Sequence, residues 1–117
     1  MYDLEERTMK LAIAVRNFIQ ILPKTIVNLE DGKQVVRSSG SIGANYIEAN
    51  ESLSRKDFIM RLKISRKEAK ETIYWLNIIL QTNINLEIKA DCEYLIKETS
   101  EIRNILSAIL KKSASQV

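Results

Sequence analysis

The sequence predicts an all-α protein, an antiparallel up-down four-helix bundle, on three observations. Only three glycines and one proline interrupt 117 residues. Apolar residues recur at spacings of three and four, and the alternating pattern of a half-buried strand is missing. Four such segments joined by short connections let each helix bury its stripe against two neighbours. The length suits one domain, residues 1–117, with a single core.

In the first segment Leu4, Leu11, Val15, Phe18 and Leu22 share a face that Glu6, Lys10 and Asn17 oppose, so a helix runs to Pro23, which restricts continuation. After PKTIVN, Asn28 as N-cap with Asp31 in the first turn predicts a second helix over about residues 29–51. Ser54 followed by Asp57 starts a third, residues 55–82, whose Phe58, Leu62, Ser65, Ala69, Thr72, Leu76 and Ile79 keep a 4-3-4-3 rhythm. Beyond the TNIN connection the same rhythm passes through Ile88, Cys92, Leu95, Thr99, Ile102, Leu106 and Ile109 of a fourth helix. The tail SASQV is expected to fray.

Composition removes several function classes. Histidine is absent, and with it the commonest general base, metal ligand and pH switch. The apolar runs fall short of a membrane span, and the acidic opening MYDLEER lacks the apolar core of a cleavable signal, so the expected location is the cytoplasm. A single cysteine fits that location. The net charge of +3 is mild but unevenly placed, for residues 52–82 carry seven basic and three acidic side chains.

RSSGSIGANYIEANES, residues 37–52, raises the question of a phosphate-binding loop. Gly43 is followed by Ala44 and Asn45, where a Walker loop needs lysine and a hydroxyl; a dinucleotide fingerprint needs a third glycine and a strand; a GxxG RNA clamp needs a sheet. Helical spacing fits better. Val36, Gly40, Gly43, Ile47 and Asn50 form one stripe beside Val35, Ser39, Ile42, Tyr46 and Ala49, so the missing side chains admit a neighbouring backbone. Each glycine costs about 1 kcal/mol of helix propensity, which close packing must offset.

RSSGSIGANYIEA, the following SRKDFIMRLKISRKEAKETIYWL, and LPKT at residues 22–25 together resemble the bacterial four-helix-bundle family named for proteins encoded within intervening sequences of 23S ribosomal RNA genes. The likeness covers nearly the whole chain and is strongest over residues 37–76. Gly43, where the wider family often has proline, and Glu48-Ala49 in place of EG point to the subgroup with SIGAN. The resemblance implies a bundle that assembles into a ring, typically a pentamer, and implies no established activity. Accessory proteins of diversity-generating retroelements, associated with reverse transcriptase and nucleic acid, are similar in fold.

Helix three carries the candidate site. Lys63, Lys67 and Lys70 lie within about 40° of Lys56 around the helix, with Arg66 on one flank and Tyr74 on the same face. Lysines on phosphates with a stacking tyrosine suit single-stranded RNA or DNA; a solvated face neutralised by Asp57, Glu68 and Glu71 is the alternative. A ring would multiply the patch by its copy number. Met60, Trp75 and Ile78 lie away from the core stripe and suit a subunit interface, unless Trp75 completes the internal core. Glu48 and Glu51, near Asn45 and Asn50, lack the histidines of a bundle metal site. Cys92 falls on the core stripe as an inert thiol. The expectation is a self-assembling nucleic-acid binder with no enzymatic activity and no cofactor, catalytic or metal site. The rival is a scaffold recruiting a partner polypeptide such as a reverse transcriptase.

Overall fold

The computed structural model describes residues 3–114, which form four helices: α1 (Leu4–Ile21), α2 (Ile26–Asn50), α3 (Arg55–Thr82) and α4 (Leu86–Ala114). They pack as a four-helix bundle with extents of 48 × 20 × 20 Å, close to the length of about 42 Å that a 28-residue helix spans. Each helix touches its neighbours in the order α1, α2, α3, α4 and back to α1, while the diagonal pairs stay apart. The α1/α2 and α3/α4 grooves therefore lie on opposite sides of the molecule.

Side-chain caps set the helix starts. Asp3 accepts the Glu6 amide at 3.1 Å, Ser54 accepts the Asp57 amide at 3.1 Å, and Asn85 of the TNIN connection accepts the amides of Glu87 and Ile88 at 2.8 and 3.2 Å. The second helix departs from the sequence reading. Its cap is Thr25, whose hydroxyl accepts the Asn28 amide at 3.2 Å, so α2 begins three residues before the expected position. Asn28 instead turns inward, donating to the Pro23 carbonyl at 3.0 Å and exchanging two hydrogen bonds with Asn83 at 2.9 and 3.0 Å. A buried amide with partners on two connections outweighs its capping propensity. Ser113 and Ala114 of SASQV still belong to α4, and the remaining three residues lie outside the described ones.

The core follows the expected stripes: Leu4, Leu11, Val15 and Phe18 on α1 with Leu22 at its C-cap, Leu62, Ala69, Leu76 and Ile79 on α3, where the expected Phe58 is only half-buried, and Ile88, Cys92, Leu95, Ile102 and Leu106 on α4. On α4 the last buried position is Leu110, with Ile109 only half-buried, because a straight helix drifts against a strict heptad. Hydroxyls in the core are satisfied. Ser65 donates to the Ile42 carbonyl of α2 at 2.7 Å, and Ser38 and Thr72 share a hydrogen bond of 2.8 Å, so small polar residues stitch α2 to α3.

The glycine segment is helix throughout. Its buried row is Val35, Ser38, Ser39, Ile42, Gly43 and Ala49, whereas Gly40 is half-buried and Ile47 and Asn50 are exposed. Gly43 is the point of closest approach: a Cβ there would sit 2.6 Å from the Thr8 hydroxyl and 3.0 Å from the Thr8 Cβ of α1. Thr8 cannot yield, since it is buried and its hydroxyl is tied to the Leu4 carbonyl at 2.6 Å. Gly40 would meet only the end of Arg16, at 3.4 Å. Close packing thus offsets the propensity cost at Gly43 and not at Gly40.

Candidate nucleic-acid interface

Lys63, Arg66, Lys67 and Lys70 of α3 line a groove of about 410 Å³ together with Arg103 of α4. All four lining residues from α3 belong to the basic face read from the sequence. Lys56, in the first turn of α3, and Tyr74, one turn beyond Lys70, are exposed on the same face but do not line the groove. No acidic residue lines it, and none of its five cations enters an ion pair among the described residues.

The expected competitors are held elsewhere. Arg37 of α2 donates to Glu68 at 3.2 Å and to Glu71. The same Glu71 oxygen accepts the Trp75 indole N–H at 2.9 Å. The indole bond and then Arg37 hold the Glu71 carboxyl below the usual carboxylate range, and Glu71 in turn raises Arg37. Asp57 forms no ion pair with the lysines. On α4 the acids are drawn away in the same manner: Arg7 of α1 grips Glu98 through two hydrogen bonds of 2.7 and 2.8 Å and reaches Glu101 at 2.9 Å. Arg7 lowers the Glu98 carboxyl, and Glu98 raises the guanidinium. Two arginines from the far helices thereby place four carboxylates on the flanks facing α1 and α2, leaving the α3/α4 groove to its cations.

Arg103 escaped the sequence reading. It lies about 100° around α4 from Ile102, on the flank opposite Glu101. That sorting of charge was visible in the spacing. Its meeting with Lys63 to Lys70 depends on the α3–α4 register, which no local pattern encodes.

The remaining candidates divide. Trp75 is half-buried and packs against the core, with its ring 5.0 Å from that of Tyr74 in an edge-on arrangement. Met60 is 47% exposed, and Ile78 is half-buried. Glu48 and Glu51 are exposed, Asn45 accepts from Arg61 at 3.4 Å, and Asn50 donates to Glu5 at 2.9 Å. No group of metal-ligating side chains occurs among the described residues. Cys92 is buried, donates to the Leu76 carbonyl at 3.1 Å, and burial pushes its thiol up to about 12, far from a nucleophile's range. Among the described residues, no helix is long and apolar enough to cross a membrane.

The opposite, α1/α2 groove is of similar size, about 480 Å³, and apolar, lined by Met9, Ala12, Gly40, Gly43, Ala44 and Ile47 with Glu5, Glu6 and Thr8. Met9 and Ile47 are about half exposed there, at 57% and 46%, and Ile13 of α1 is 51% exposed.

The crystal structure of a protein of unknown function from the S23 ribosomal protein family of Bacteroides thetaiotaomicron VPI-5482 is similar. It has a TM-score of 0.78 and 34% identity over 92% of this chain and 97% of that one. No curated protein matches the sequence. The family profile described as 23S rRNA-intervening sequence protein matches residues 2–108, nearly the full length, from the start of α1 into α4. The chain is a member of the 23S rRNA-intervening sequence protein family.

Proposed function

We propose that this protein is a non-enzymatic, cytoplasmic bundle that assembles with copies of itself and binds single-stranded RNA or DNA along the α3/α4 groove. The observation that carries this reading is the groove of five cations with no lining carboxylate. Phosphate contacts by Lys63, Arg66, Lys67, Lys70 and Arg103 provide affinity that is salt-dependent and indifferent to base sequence, with Lys56 extending the track and Tyr74 offering a ring for stacking. Lys63 to Lys70 spans about 10 Å of helix rise, room for two or three phosphates. A single subunit binds weakly, and a ring of the pentameric kind implied by the resemblance multiplies the contact.

Fluorescence anisotropy with a labelled single-stranded RNA tests this reading. Affinity is expected to fall steeply from low to moderate salt and to collapse in K63E/K67E; affinity unmoved by either change defeats it. Mass measurement in solution, with the ratio of absorbance at nucleic-acid and protein wavelengths, reports copy number and copurified nucleic acid together.

The exposed Met9, Ile13 and Ile47 beside the α1/α2 groove favour a second reading, a scaffold that recruits a partner polypeptide such as a reverse transcriptase. Copurification after nuclease treatment separates the two, because a protein partner persists and an RNA-bridged one is lost. Met60 and Ile78, on the Trp75 side of α3, remain the proposed contact between copies.

A further inference from the structure

We propose that Arg37 is a positioning residue for polyanion binding: it touches no phosphate itself, and by holding Glu68 and Glu71 on the α2 side of α3 it keeps both carboxylates off the lysine row. The inference rests on the groove reading above. Lys67 and Glu71 stand at the i, i+4 spacing at which neighbouring charges on a helix normally pair. They do not pair here. Glu71 is bonded to Arg37 and to Trp75, both on the flank away from the groove, and Glu68 is nearly buried against the same guanidinium.

Without that guanidinium, Glu68 and Glu71 lose their shared cation, and Glu71 stands one turn from Lys67. The Lys67 ammonium then has a tethered carboxylate to pair with, in direct competition with phosphate. Because that carboxylate is tethered, its pairing with Lys67 lowers the apparent affinity by the same factor at every ligand concentration. The Lys67 charge is still felt at Glu71, where it helps lower the carboxyl, so the two side chains are within electrostatic reach.

The test is a double-mutant cycle read by anisotropy with labelled oligouridine at low and moderate salt, using R37A, E68Q/E71Q and the triple variant. R37A is expected to weaken binding about threefold to tenfold at low salt and to reduce the slope of log K against log salt by about 0.7, one phosphate contact's worth for a single strand. In the E68Q/E71Q background, R37A is expected to change neither quantity. R37K, which keeps the charge, retains most of the affinity, and circular dichroism confirms that each variant is folded. An R37A loss of the same size in both backgrounds means that Arg37 contacts the ligand, and overturns the proposal; so does R37A binding like the wild type. K63E/K67E run in parallel tells the two levels apart. If the wild type binds and K63E/K67E does not, any failure above belongs to Arg37 alone, whereas binding indifferent to K63E/K67E removes the groove and the role of Arg37 together.

Discussion

The bundle carries two grooves of similar volume on opposite sides, about 480 Å³ between α1 and α2 and about 410 Å³ between α3 and α4. The first is floored by glycine and alanine and edged by Met9 and Ile47; the second is lined by lysine and arginine alone. Packing four rods side by side produces both furrows as a matter of geometry. Their chemistry differs because of what stands on the helix flanks, small and apolar side chains at the first and cations at the second, whose neighbouring acids Arg7 and Arg37 hold on the other flanks of α4 and α3.

Reversing charge in the basic groove gives the largest expected difference between the two sides. K63E/K67E should lower affinity for single-stranded RNA about a hundredfold at low salt, about 2.7 kcal/mol, while its melting temperature stays near that of the parent. A charge reversal on α1 outside both grooves, K10E, should leave binding within about twofold, as checked in the same titration.

Filling the small-residue groove comes next. Gly43→Ala places a methyl against the fixed Thr8 and should cost about 1–2 kcal/mol in denaturant unfolding despite the better helix former. Gly40→Ala, one turn earlier, meets only the movable tip of Arg16 and should stabilise by about 0.5–1 kcal/mol. Opposite signs from neighbouring glycines would establish that only one of them is a true contact point. If both stabilise, α1 and α2 are looser than described.

The smallest effect concerns the fastening itself. Glu98 and Glu71 have carboxyls held below their ordinary value near 4.5, so the stability they contribute is present above that value and is lost as pH falls through their lower folded-state values. Thermal melts should therefore show a declining midpoint on acidification below about pH 4.5, and E98Q should flatten part of that limb, a difference of about 0.5–1 kcal/mol. A limb unchanged by E98Q would mean that the Arg7 clamp adds no stability.

Much of this architecture can be read from one dimension. The apolar rhythm of α3 and α4 marks their buried faces almost residue by residue, since burial of one stripe per helix is what a bundle requires. Local pattern does not fix the start of α2, because Thr25 and Asn28 are both good caps and Asn28 is drawn inward by Asn83, fifty-five positions away in the chain. The basic face was apparent from spacing. Whether Glu68 and Glu71 neutralise it was undecidable without Arg37, and Arg103 joins the groove only through the register of two helices. Local pattern reveals which side of a helix is charged; which charges cancel is a property of the packed molecule.

Trp75 has a practical consequence. As the sole tryptophan, with its indole N–H on Glu71 and its ring against Tyr74, it is a built-in fluorophore at the border between the lysine row and the Arg37 clamp. Its emission should register any rearrangement of that border when RNA arrives, with no dye attached to either molecule.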